Sequence, residues 1–210
     1  MTKLVLASTS PARLRLLKDA GIDPIVVSPG VDEEHVADMA MQAGLISNTA
    51  DLVLLLAKAK AEAVMNHPDA QGALIIGCDS ALDLDGEALG KPHEPEVAIE
   101  RWKSMRGRSG RLYTGHWLID NRISTPMPPA TGYASDTTVH FADLTDGEIL
   151  AYVGTGEPLQ VAGAFTIDGL GGAFIKAIEG DAHTVVGLSL TTLRDLCLKL
   201  DVDYPSLWRR

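Results

Sequence analysis

The chain has 210 residues, of which 46% are hydrophobic and 22% are charged, a composition typical of a globular protein with a sizeable core. Its formal net charge of −10 at pH 7, with no basic run before Arg209-Arg210, disfavours a nucleic-acid partner, so any phosphate compound it binds is expected to be small. No apolar stretch suits a membrane span or a secretory signal, so we expect a cytoplasmic protein without a membrane partner. Cys78 and Cys197 have the spacing of neither a zinc site nor a disulfide framework.

The N-terminal segment is an apolar run over residues 4–7 that ends in hydroxyls, a proline and a cation. Ser10 is a good N-cap, Pro11 suits the first helical position and Gly21 marks a break, so the sequence predicts a strand followed by a helix. Arg13 falls in the first turn, where the positive end of the helix dipole disfavours a cation. Two interpretations stay open: Arg13 and the serine hydroxyls hold a bound anion, or Arg13 is solvated.

The next segment combines a short predicted strand, residues 24–27, with an expected acidic loop over 31–34. Most members of such a run are solvated in a chain with 28 acidic residues. Glu33 is nevertheless a candidate second oxygen ligand for Mg²⁺ or Mn²⁺, because ions that act on phosphates often use one or two carboxylates plus substrate oxygens.

The clearest predicted helix runs from residue 49 to about residue 65, where apolar residues recur at helical spacing. Lys58 lies on its polar side and is expected to be solvated. Lys60 instead shares a row with Leu56 and Val64, which places an ammonium on the apolar face. Both a snorkelling side chain and a functional one explain Lys60.

Asp79 follows an apolar run over residues 73–78 that predicts a buried strand. A carboxylate at the end of such a strand is costly to bury unless a metal, hydrogen bonds or solvent receive it, which makes Asp79 the leading catalytic candidate. A structural cap formed with Ser80 explains it as well. Lys91, between a glycine and a proline, could hold a fixed ammonium near Asp79, and a surface turn lysine is the alternative.

The remaining patterns predict a hairpin that turns at residues 85–86, a helix over 95–105, adjacent antiparallel strands over 111–123 and 132–141, and helices over 145–153 and 188–200. The Gly-rich stretch 154–187 lets main-chain amides approach a ligand or forms tight turns, and its Glu157 and Asp168 are expected to be solvated. The chain contains no P-loop, H-E-x-x-H or G-x-S-x-G motif. Together, the candidates suggest metal-assisted chemistry on a phosphate compound.

Taken in order, these motifs resemble those of the Maf (septum-formation) family of nucleotide pyrophosphatases. The matching segments are residues 6–13, 32–33, 57–61, 77–80, 90–92, 109–110, 113–115, 156–158, 162–163, 167–169, 178–181 and 186–188. The resemblance implies a mixed, two-lobed α/β fold with an elongated central sheet flanked by helices, similar to inosine triphosphatases. It also implies a single domain over residues 1–210, and many members form homodimers.

The activity that the resemblance implies is hydrolysis of a nucleoside triphosphate between its α and β phosphates, with a divalent metal, Mg²⁺ or Mn²⁺. Asp79 matches the family's proton acceptor, and we expect Asp79 and Glu33 to bind or orient the metal and water. The expected catalytic residues are Asp79, Glu33 and Lys91. The expected substrate-binding residues are Ser8, Ser10, Arg13, Lys60, Ser80 and Asp168.

Three positions depart from the family pattern: Ala12 replaces the first of two arginines, Val161 replaces a lysine and Asp168 replaces a glutamine. The loss of two cations and the gain of an acid should alter affinity or base choice, so a substrate preference is not carried over. Two other functions stay open. One is a nucleotide-binding regulator of septation or cell division without turnover, and the other is a phosphatase that releases orthophosphate.

Overall fold

A computed structural model describes residues 2–123 and 125–209, which divide into two compact units. Unit 1 comprises the residues up to 79, residues 114–135 and those from 187 onward, and unit 2 comprises residues 80–113 and 136–186. Among the described helices, none is long and apolar enough to cross a bilayer.

The helices and strands follow one another in this order: β1 (Leu4–Ala7), α1 (Pro11–Asp19), β2 (Ile25–Val26), α2 (Glu33–Gln42), α3 (Thr49–Ala63), β3 (Ala73–Leu84), β4 (Glu87–Leu89), α4 (Pro95–Met105), β5 (Ser109–Asn121), β6 (Ala130–Phe141), α5 (Asp146–Gly154), β7 (Ile175–Gly180), α6 (Ala182–Val186) and α7 (Leu190–Lys199). The strands are hydrogen-bonded in the order β2-β1-β3-β5-β6-β7, with β4 beside β3. Because β1 is parallel to β2 and β3, whereas β4 and β7 are antiparallel to their neighbours, the sheet is mixed.

The core of unit 1 lies on both faces of its strands, because successive residues of a strand point to opposite sides. On one face, Val5 of β1 packs with Ala61 of α3. On the other face, Leu6 packs in a cluster with Leu17 of α1 and Leu193 of α7. Helices therefore cover both faces of the sheet, and the predicted mixed α/β fold is confirmed.

Two glycines let α3 approach the strands unusually closely. A Cβ on Gly77 would lie 2.2 Å from the main-chain oxygen of Ala57, and one on Gly115 would lie 2.1 Å from that of Val53. Real Cβ atoms do not approach a main-chain oxygen so closely, so only glycine fits at either position. This contact fixes the position of α3, and with it the base of the Lys60 side chain.

The core of unit 2 is built around Trp102 of α4, which is fully buried. Its ring makes edge-to-face contacts with Phe141 of β6 and Tyr152 of α5, with centroids 5.7 and 5.6 Å away. The indole nitrogen donates a hydrogen bond to the main-chain oxygen of Ala164 at 2.8 Å. The buried ring thus satisfies its one polar atom while it joins α4, α5 and the sheet.

The predicted start and end of the first helix are confirmed. Ser10 Oγ accepts a hydrogen bond from the main-chain nitrogen of Arg13 at 3.4 Å, and Pro11 is the first helical residue. Gly21 follows the helix with a φ of +78°, a left-handed conformation that favours glycine. The predicted hairpin turn over residues 85–86 is confirmed too, since the β3–β4 pairing ends at Leu84 and Glu87.

One prediction about local structure is wrong. The expected acidic loop is the start of α2, because Asp32 Oδ1 accepts a hydrogen bond from the main-chain nitrogen of His35 at 3.0 Å and caps the helix. Glu33 therefore stands in a first helical turn, where a carboxylate is favourable. The Gly-rich stretch forms short 3-10 turns within residues 157–174, consistent with the tight turns that were expected. It also contains β7 and α6, which were not predicted, and β7 is antiparallel to β6.

Candidate functional site

Three of the predicted site residues meet around one ammonium group in unit 1. Lys60 Nζ lies 2.6 Å from Asp79 Oδ1 and 2.8 Å from Glu33 Oε1. The side chains of Lys60 and Asp79 are 7% and 12% exposed, whereas that of Glu33 is 42% exposed. Because a snorkelling lysine keeps its ammonium in water, that interpretation of Lys60 is wrong.

Each member of this cluster is brought to it by a different element. Lys60 comes from α3, where Leu56 and Val64 of the same row are buried as predicted. Asp79 comes from β3, and Glu33 comes from the first turn of α2. A buried ammonium requires paired charges, and these two carboxylates supply them.

The electrostatic surroundings of Asp79 favour a basic carboxylate. Burial raises the pKa of Asp79, Lys60 and Arg13 lower it, and Glu33 raises it, with the net effect that the pKa is raised. An ionised carboxylate with a raised pKa accepts a proton more readily than an ordinary aspartate. Burial also raises the pKa of the adjacent Cys78 thiol to about 12, so that thiol is protonated near neutral pH and is not a nucleophile.

Arg13 is buried, being 8% exposed, so the interpretation of a solvated arginine is wrong. Its Nε donates to the main-chain oxygen of Gly187 at 2.7 Å, and its Nη1 donates to that of Cys78 at 2.9 Å and to Ser8 Oγ at 3.1 Å. Main-chain carbonyls thus stabilise a cation that the helix dipole disfavours. They also hold the guanidinium close enough to Asp79 to lower the pKa of that carboxyl.

Ser8 and Ser10 form one hydrogen-bonded turn with Arg13. Ser8 Oγ accepts from the main-chain nitrogen of Ser10 at 3.2 Å as well as from Arg13, while Ser10 Oγ caps α1. Within residues 2–123 and 125–209, both hydroxyl oxygens act as acceptors. Each hydroxyl therefore keeps a proton with which it can donate to a bound anion.

Lys91 belongs to unit 2, and its side chain is exposed. The main chain just before Lys91 is held by hydrogen bonds. The main-chain oxygen of Gly90 accepts from Arg101 Nη1 at 2.6 Å and from the main-chain nitrogen of Gly163 at 3.1 Å. Arg101 was not among the predicted site residues. Its position in a helix, ten residues after Lys91, gave no signal of this contact.

Ser80 and Asp168 also belong to unit 2; Ser80 follows Asp79 on β3, and Asp168 is exposed. The segment that carries Asp168 is anchored by Glu157, whose expected solvation is wrong. The Glu157 carboxylate accepts from the hydroxyls of Tyr152 at 2.9 Å and Thr166 at 2.6 Å, and from the main-chain nitrogens of Leu170 and Gly171, both at 2.9 Å. Burial raises the pKa of Glu157, but these hydrogen bonds outweigh it, and the net pKa is lowered.

The donor set in unit 1 fits a divalent cation only in part. Among the described residues, no three His, Cys, Asp or Glu side chains come together as metal ligands. Glu33 and Asp79 do converge on one cation, the Lys60 ammonium. Two carboxylates suit Mg²⁺ or Mn²⁺ held mainly by substrate phosphates and water, rather than an ion in an all-protein cage.

This chain is similar to known proteins over nearly its whole length. A family model described as Maf-like protein matches residues 3–200. A nucleoside triphosphate pyrophosphatase of Leifsonia xyli is 54% identical over 99% of this chain and 97% of its own length, and one of Streptomyces avermitilis is 52% identical over 98% and 94%. Among solved structures, the Ham1 protein of Staphylococcus aureus aligns over 95% of each chain, with 14% identity and a TM-score of 0.41.

Proposed function

This chain belongs to the Maf-like protein family, and we propose that it is a nucleoside triphosphate pyrophosphatase that cleaves the α–β phosphate bond to give a nucleoside monophosphate and pyrophosphate. The observation that carries the proposal is the buried contact of Lys60 with Asp79 and Glu33, which combines a basic carboxylate with fixed positive charge. The names of relatives about half identical over nearly the full chain support the same reaction.

In this reaction Asp79 accepts a proton from the water that attacks the anhydride. Its raised pKa suits that role, because a general base works best when its pKa lies nearer the working pH. In the nucleotide-free protein, Lys60 lies beside Asp79, favours the ionised form of the carboxylate and orients the oxygen that it contacts. The second Asp79 oxygen is the one that we assign to the water.

The triphosphate requires positive charge and hydrogen-bond donors. Arg13 supplies a buried charge beside the turn that carries the Ser8 and Ser10 hydroxyls, and we assign those hydroxyls to phosphate oxygens. Glu33 and Asp79 would hold a divalent ion, which neutralises phosphate charge when bound. The roles of Lys91, Ser80 and Asp168 stay predictions from the family resemblance.

The proposed reaction is tested by incubating the purified protein with a panel of normal and modified nucleoside triphosphates and Mg²⁺ or Mn²⁺. The phosphate species released is then identified by ³¹P NMR. We expect pyrophosphate and a monophosphate in equal amounts. Orthophosphate as the first product would instead support a phosphatase, and binding without turnover would support a regulator that uses nucleotide as a signal.

Asp168→Gln is expected to change the ratio of kcat/KM values among nucleobases more than it lowers the best of them. Gln restores the family's residue, and the Glu157 anchor leaves the main chain of this segment in place, so the change alters side-chain chemistry rather than fold. Asp143→Gln, an exposed acid of the same unit, is the matched control. An unchanged ranking of nucleobases in Asp168→Gln would remove residue 168 from base selection.

A further inference from the structure

The Lys60 ammonium stands where a divalent cation would have to bind. One oxygen of Asp79 and one of Glu33 both contact Lys60 Nζ, at 2.6 and 2.8 Å. A metal ion held by those same oxygens would need to approach each of them to about 2.1 Å, which brings it to the position of the ammonium. Two cations cannot share that position, so metal binding through these oxygens requires the ammonium to leave.

Lys60 is not easily displaced by a free ion. Its side chain is 7% exposed. Its helix packs so closely on Gly77 that a methyl group at that glycine would not fit. A metal ion that took both carboxylates would leave a buried ammonium without its partners, which is strongly unfavourable. The tether also holds the ammonium at a high effective concentration beside the carboxylates.

A bound triphosphate lowers the cost of displacing Lys60, because its oxygens are new negative partners for the displaced ammonium. From this geometry, and resting on the function proposed above, we propose that Lys60 occupies the cation position of the nucleotide-free protein, so that divalent metal enters only together with the triphosphate. Lys60 then exchanges carboxylate partners for phosphate partners as the metal–nucleotide complex arrives. The residue thereby makes metal binding conditional on substrate.

The test measures Mn²⁺ binding to the full chain without nucleotide, by the EPR signal of free Mn²⁺. Removal of the ammonium by Lys60→Met leaves two unpaired carboxylates, and we expect Mn²⁺ affinity at least about tenfold higher than in the wild type. Lys58→Met is the matched control, since Lys58 is an exposed lysine of the same helix, and it should bind Mn²⁺ as the wild type does. Equal Mn²⁺ affinity in the wild type and Lys60→Met would overturn the proposal.

Two further variants address misfolding and the role of positive charge. Lys60→Gln fills similar space with a neutral donor and replaces Lys60→Met if circular dichroism shows that the methionine variant does not fold. Lys60→Arg keeps the positive charge and is expected to bind Mn²⁺ as weakly as the wild type; tight binding by this variant would contradict exclusion by charge.

A second experiment distinguishes failure of the Lys60 proposal from failure of the proposed function. With an α,β-methylene nucleoside triphosphate, which cannot be cleaved at that bond, the wild type is expected to retain Mn²⁺. If it retains none, the proposed metal-dependent reaction fails, and so does the entry of metal together with the triphosphate. The nucleotide-free comparison of Lys60→Met with the wild type still decides whether Lys60 occupies the cation position.

Discussion

Asp79→Asn is expected to lower the turnover number for nucleoside triphosphates by about 10²- to 10⁴-fold, the usual contribution of a general base. The amide has nearly the same shape and can still accept a hydrogen bond from Lys60 through its oxygen, but it cannot take a proton from water. Lys60 keeps its ion pair with Glu33, so the buried ammonium retains a partner and the fold is expected to persist. Turnover is measured as pyrophosphate released under saturating nucleotide.

Without added divalent metal, nucleotide affinity in Asp79→Asn is expected to equal or exceed that of the wild type, because one negative charge beside the triphosphate is lost. Equilibrium binding of a fluorescent nucleotide measures it. Asp38→Asn, an exposed acid on α2, removes the same charge away from the cluster and should leave turnover unchanged. Turnover by Asp79→Asn close to that of the wild type would exclude Asp79 as the base.

Gly77→Ala is expected to destabilise the protein by about 3 kcal/mol or more, at or above the upper end of what an extra core methyl group costs. The added Cβ would lie 2.2 Å from the Ala57 oxygen and 2.8 Å from the Ala61 nitrogen, both main-chain atoms of a helix that cannot rotate away. The helix must therefore move, and Lys60 lies between those two residues. We expect turnover to fall as well, because a shifted α3 carries Lys60 away from the cluster in which it pairs first with the carboxylates and then with the triphosphate.

Urea unfolding measures the free-energy change, and Gly154→Ala provides the comparison. Gly154 ends α5, has no atom within 4 Å of an added Cβ and has no left-handed backbone, so alanine there should be neutral or slightly stabilising. A stability of Gly77→Ala within about 0.5 kcal/mol of the wild type, the range of ordinary surface substitutions, would show that α3 is not held by this contact.

Helices and strands were predicted correctly where neighbouring residues carry a strong structural signal. The first helix was predicted from Ser10, Pro11 and Gly21, whose chemistry acts within a few residues. The helix α2 was missed because only one of its residues, Ala40, is buried, and the exposed Met39 and Met41 place apolar side chains outside its inward face as well. The strand β7 was missed for a similar reason, since glycines precede it and no residue in it is fully buried.

The candidate site could be predicted in part. The row of Leu56, Lys60 and Val64 indicated that one lysine of α3 faces inward, but its pairing with Glu33 and Asp79 depends on contacts between distant segments. The Arg13 contacts could not be foreseen, because its acceptors are main-chain oxygens, which every residue carries. The sequence pattern therefore identified charged residues that need partners, but which groups they contact depends on the fold.

The hydrogen bond from Arg13 to the Gly187 oxygen joins residues 174 positions apart. Closing a loop of that length has an entropic cost, so we expect this hydrogen bond to form after the local helices and strands. On the ribosome, the arginine emerges long before residue 187 is synthesised. A nascent or truncated chain without that residue would lack one of the main-chain acceptors that hold the guanidinium in its buried position.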